Sequence, residues 1–95
     1  MENQPSTVQC SKANLLVVPL ALADQWRREV MEKTNLKVYV HHGPKRERDP
    51  SRIARWDIVI TTYDTVSSEW SGGKGGLFPV NWWRIILGAL SYIRH

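Results

Sequence analysis

Three short segments of this chain carry residue types suited to holding an anion. Thr61 and Thr62 are small hydroxyl residues that can donate to a phosphate oxygen while their backbone comes close, and Tyr63 and Asp64 follow them. Gly43, after His41 and His42, allows a similar close approach because it carries no Cβ. Pro19 to Leu22, with Gln25 beyond, makes a third such place. Just past Gly43, the cations Lys45, Arg46 and Arg48 would add attraction for a phosphate backbone.

Other chemistries are poorly supplied. His41 and His42 adjoin no Cys, Asp or Glu at ligand spacing, so a turn histidine with a backbone partner is expected there rather than a metal site. Gly72-Gly73-Lys74-Gly75-Gly76 lacks the Gly-x-x-x-x-Gly-Lys-Ser/Thr spacing of a phosphate-binding loop and does not run from a strand into a helix. Cys10 is the single cysteine and has no partner, which fits a reducing, intracellular setting and excludes a disulfide framework.

The elements that must position these residues follow from hydrophobic patterning. Asn14 to Pro19 is a short apolar run ended by proline, the pattern of a strand buried on both faces of a parallel sheet. From Ala21 to Lys33, Leu22, Trp26 and Val30 recur every four residues and form one stripe of an amphipathic helix, with Asp24 in its first turn. Trp26 on that stripe is read as core, and Trp56 likewise. Leu36 to Val40 alternates as a second strand, Asp49-Pro50-Ser51 begins a short helix through Trp56, and Asp57 to Thr62 repeats the buried-strand signature. Ser71 to Gly76 is expected to be a structureless connector, and Trp83 to Leu87 a fourth buried strand. The order predicts an α/β fold with a mostly parallel sheet of about four strands flanked by helices, in which anions bind beyond the carboxyl ends of the strands.

Composition agrees with one small domain after a polar N-terminal tail, residues 1–13, with the lobe over residues 14–95. Hydrophobic residues make up 42% and charged residues 23% of the 95, an ordinary globular balance. A chain of this length buries roughly 60–65% of its unfolded surface, so modest stability is expected. No apolar run approaches the ~20 residues of a membrane span, and the start lacks the layout of a secretory signal, so neither membrane association nor secretion is expected. The net charge is +4, and between Trp26 and Trp56 nine Lys or Arg face four Asp or Glu. That excess suits nucleic acid, or else a solvated helix face.

Order and spacing together are more specific. Pro19-x-x-Leu22-x-x-Gln25-Trp26-x-x-Glu29, then His42-Gly43, then Asp57-Ile58-Val59-Ile60-Thr61-Thr62-Tyr63, then Leu77-Phe78-x-x-x-Trp82-x-Arg84-Ile85-Ile86-Leu87 resembles the first, RecA-like lobe of the SWI/SNF-type helicase-like ATPases of superfamily two. Within that family it is most similar to the subgroup of the helicase-like transcription factor and the post-replication-repair translocases. The resemblance covers residues 14–95 and implies a nuclear, ATP-dependent DNA translocase, with ATP and magnesium as the family's cofactors. It implies duplex DNA gripped through its backbone without regard to sequence, with chromatin or repair proteins as further partners. By position it assigns Pro19, Gln25, His42, Gly43, Thr61, Thr62 and Tyr63 to DNA-facing or closely supporting segments.

The departures are as informative. Where the family carries Asp-Glu-Ala-His to hold magnesium and position the attacking water, this chain has Gly88-Ala89-Leu90-Ser91, none of which is a magnesium ligand or a base. Tyr92-Ile93-Arg94-His95 then resumes the family pattern, and no upstream phosphate loop is present. The chain is therefore expected to be a partial lobe that binds no ATP or magnesium alone. The alternatives are a catalytically inactive nucleic-acid-binding or interaction module, and a truncated product without independent function. A partial lobe is also expected to leave apolar surface uncovered at Leu15 to Val18 and at Trp82 to Leu87, and so to aggregate.

Overall fold

Leu15 to Val18 are buried along their whole length because neighbours cover both faces. In a computed structural model, which describes residues 12–73 and 75–87, β1 (Asn14–Val18) lies between two parallel partners. The strands β2 (Val38–His41), β3 (Ile58–Thr62) and β4 (Arg84–Leu87) complete a four-stranded, all-parallel sheet in the order β2-β3-β1-β4. Register sets Val18 beside Thr62 and His41 beside Thr61, so the carboxyl ends of β1, β3 and β2 lie side by side.

Alternate residues of the strands feed two cores. Leu15, Val17 and Val59 face one side, where they pack with Ile53, Leu77 and Val80 and are backed by Trp56, Val66 and Trp82. Leu16, Val18 and Ile60 face the other, against Ala23, Leu22 and Trp26. Burying each such aliphatic side chain contributes about 1.5–3 kcal/mol. Trp26 and Trp56 thus serve the two cores, and Trp56 also stacks on Tyr39 at 5.5 Å.

The helix α1 (Leu20–Lys33) begins at Pro19, with no side-chain cap, and covers the second face. Asp24 sits beyond its first turn rather than in it, and pairs with Arg27 at 2.8 Å and Arg28 at 3.2 Å. The strand β2 starts at Val38, later than the alternation suggested, because Lys37 is engaged elsewhere. Its N–H donates to Asp57 Oδ2, and its carbonyl accepts from the N–H groups of Asp57 and Ile58. In α2 (Pro50–Ile53), Asp49 Oδ1 accepts from Ser51 N–H, proline holds the first turn, and the helix ends short of Trp56.

A third helix, α3 (Tyr63–Gly72), follows β3 directly. Thr62 caps it by accepting from Thr65 N–H at 3.2 Å, and Gly73, in the left-handed region at φ 64°, closes it. The connector expected at residues 71–76 is corrected accordingly: Ser71 and Gly72 are helical. Gly75 and Gly76 pack so closely that a Cβ there would run into the Glu69 side chain and into Ile53.

Of the two stretches expected to lie uncovered only the second does, and its reading as a buried strand is corrected. Leu15 to Val18 are covered, none above 6% exposed, since β3 and β4 flank β1 and helices lie over it. By contrast β4 is exposed throughout, with Ile85 at 61% and Leu87 at 53%. Its outer edge has no partner among the described residues, and apolar grooves open beside it on both faces, one lined by Leu15, Val17, Ile85 and Leu87, the other by Leu16, Trp26 and Ile86. Ala13, assigned by sequence to the polar tail, is buried, and its carbonyl accepts from Trp83 N–H at 2.9 Å.

Candidate nucleic-acid interface

The carboxyl edge of the sheet gathers most of the residues singled out by sequence. His42 and Gly43 follow β2, Tyr63 and Asp64 follow β3, and Pro19 follows β1, and the strand order puts these three turns in one row. Gly43 adopts φ 95°, a conformation that an L side chain rarely takes. Pro19, His42 and Tyr63 are exposed, and Gln25 is half-buried on the second turn of α1. Lys45 lies in the turn directly after Gly43 and is exposed, as is Arg48.

The threonines support this row from beneath. Thr61 is fully buried, and its hydroxyl donates to the His41 carbonyl at 2.8 Å. Thr62 Oγ1 caps α3 and lies 2.9 Å from Thr65 Oγ1, which in turn meets His42 Nδ1 at 3.1 Å. Both hydroxyls are thus engaged in holding β2, β3 and α3 together.

Arg46 is likewise drawn inward. Its Nε donates to Glu69 Oε2 at 2.8 Å, and another guanidinium nitrogen donates to the Gly43 carbonyl at 2.7 Å. Glu69 Oε2 also receives His41 Nε2 at 2.6 Å, and Oε1 accepts from Leu77 N–H at 3.1 Å. The Glu69 side chain is only 2% exposed. Burial alone would raise its pKa, but the hydrogen bonds from Arg46, His41 and Leu77 outweigh that and hold the carboxyl below its ordinary value. For His41, burial dominates and lowers the pKa, only partly offset by Glu69. The pair is therefore a neutral imidazole donating from Nε2 to a carboxylate. This tautomer leaves the buried Nδ1, which has no partner among the described residues, as a lone pair rather than an orphaned N–H.

Sequence reasoning missed Glu69. The available signal was its spacing four residues after Thr65, which places both on one face of α3, and both are buried there. Gly88, Ala89, Leu90 and Ser91, like Cys10, lie outside the described residues. Among the described residues no three His, Cys, Asp or Glu come together as a metal site. No helix among them is long and apolar enough to cross a membrane.

A parallel sheet with helices over both faces, and with turns suited to anions along its carboxyl edge, is a partial α/β RecA-like lobe. The SNF2-related domain matches residues 1–89, and the chain belongs to that family. It is 37% identical over 91 residues to DNA repair protein RAD5A of Arabidopsis thaliana, covering 88% of this chain and 9% of that protein. To transcription termination factor 2 of Drosophila melanogaster it is 39% identical over 84 residues, 85% of this chain and 8% of the relative. To the human helicase-like transcription factor it is 31% identical over 81 residues, 80% of this chain and 8% of that one. The chain thus spans less than a tenth of the length of these relatives. No solved structure matches it.

Proposed function

We propose that this chain is the DNA-gripping part of the first lobe of an SWI/SNF-type, ATP-dependent DNA translocase, acting in a nuclear setting of chromatin remodelling or DNA repair. The observation that carries the reading is the row of turns at the carboxyl edge beside the exposed Lys45 and Arg48. Pro19, Gln25, His42, Gly43 and Tyr63 approach the phosphates of duplex DNA, Lys45 and Arg48 supply charge, and Arg46, Thr61 and Thr62 hold the turns in place. Contacts of this kind position a duplex without reading its sequence. Relatives named for DNA repair and transcription support the assignment.

Hydrolysis is not proposed for these residues alone, because the sequence holds no phosphate loop and Gly88-Ala89-Leu90-Ser91 carries no carboxylate. The open, apolar β4 supports the placement of this segment within a larger lobe. The test is fluorescence anisotropy with duplexes of unrelated sequence. The reading predicts equal affinities, on the order of 10⁻⁴ to 10⁻⁶ M, that weaken steeply with salt. Lys45→Ala and Arg48→Ala together should flatten the salt slope by about 2. An unchanged slope would sink the assignment of these cations, and magnesium-dependent ATP turnover by the chain would sink the inactive-fragment reading.

A further inference from the structure

Glu69 is a buried acid, and each of its bonds reaches a different segment. His41 ends β2, Arg46 belongs to the basic turn, and Leu77 follows α3. Three donors converge on two oxygens, with His41 Nε2 and Arg46 Nε sharing Oε2. Arg46 also donates to the Gly43 carbonyl, while its backbone N–H reaches that same carbonyl at 3.3 Å, so the side chain braces the turn from within. Gly75 lies against the carboxylate with no room for a Cβ.

We infer that Glu69 is the positioning residue of the basic turn. By binding His41, Arg46 and the Leu77 N–H together it pins residues 42–48 against α3, and so sets where Lys45 and Arg48 stand at the carboxyl edge. The inference rests on the nucleic-acid reading above and adds to it a residue that touches no nucleic acid. It also divides the cationic run by role, since Arg46 neutralises Glu69 while Lys45 and Arg48 remain exposed.

Glu69→Gln tests this, because it keeps the shape but leaves one acceptor oxygen for three donors and turns an NH2 group toward a donor. Charge accounting alone predicts that losing a negative charge tightens DNA binding; positioning predicts the opposite. In the 95-residue chain without DNA, amide hydrogen exchange at Arg46 and Leu77 should rise by roughly tenfold or more while β1 and β3 stay protected. Affinity for a duplex should weaken by roughly threefold to tenfold despite the charge change. Arg46→Gln should weaken binding similarly, and the double variant should add little to either single change. Unchanged exchange in the turn, exchange rising equally in β1 and β3, or tighter DNA binding would each overturn the inference. If the unaltered chain binds no duplex at all, the nucleic-acid reading fails, while exchange still decides whether Glu69 pins the turn.

Discussion

Strands β3 and β4 carry nearly the same message in sequence and meet opposite fates. Ile58-Val59-Ile60 and Ile85-Ile86-Leu87 are both short aliphatic runs in a parallel sheet. Yet Val59 and Ile60 are fully buried, whereas Ile85, Ile86 and Leu87 are 61, 42 and 53% exposed. The difference lies in position: β3 has a strand on each side and a packed core on each face, while β4, among the described residues, pairs with β1 alone. Composition reports what a strand is able to bury. Its neighbours decide what it does bury.

The largest expected effect that sharpens this contrast is Ile60→Ala, which should cost about 2–5 kcal/mol in denaturant unfolding because it opens a cavity between β3 and α1. Ile86→Ala on β4 should stay within about 0.5 kcal/mol, as exposed substitutions do. Equal costs at the two positions would show that β4 is covered in solution. Next in size is the loss of the α3 cap at the end of β3. Thr62→Ala should cost about 1 kcal/mol, and a negligible change would mean that Thr65 N–H finds another partner.

Acid should act on the β2–α3 side and spare β4. His41 titrates below its ordinary value in the fold, so its contribution is complete above about pH 6.5 and is lost as the pH falls from there toward its lowered pKa. Glu69 is also lowered and adds a second loss below about pH 4.3. Arg46, Tyr39 and Glu47 are the other ionisable groups that bear on His41 or Glu69. His41→Gln should remove the upper part of this acid dependence, as read by thermal melts across pH. The smallest effect on stability, with a visible effect on behaviour, is expected for Ile85→Lys. Stability should move by no more than about 0.5 kcal/mol, while a charge on an open strand edge should reduce concentration-dependent light scattering.

Much of the architecture was legible because its signals are local. The runs at Leu15 to Val18 and Ile58 to Thr62 mark strands, the stripe through Leu22 and Trp26 marks a helix, and Asp49-Pro50 marks a helix start. The helix α3 was not legible, since Thr65, Val66, Ser67 and Ser68 are weak helix formers and the cap at Thr62 was read as a ligand site instead. Exposure of β4 was expected from the partial lobe that the resemblance implies, not from its own residues, which read as a buried strand. At the candidate site, Gly43 and the exposed Lys45 stood out because a turn and a cation announce themselves. The inward roles of Arg46, Thr61 and Glu69 arise from partners 20 to 28 residues away.

Lysines stand at both edges of the sheet, and this provides the most direct test of where DNA sits. Lys45 follows the carboxyl end of β2, and Lys37 precedes its amino end, beside a groove lined by Arg52, Arg55 and Trp56. Both lysines are exposed. Lysine acetylation footprinted by mass spectrometry, with and without a saturating duplex, should show Lys45 protected and Lys37 as reactive as in the free chain. Protection of Lys37 with Lys45 left reactive would place the duplex at the opposite edge and contradict the account.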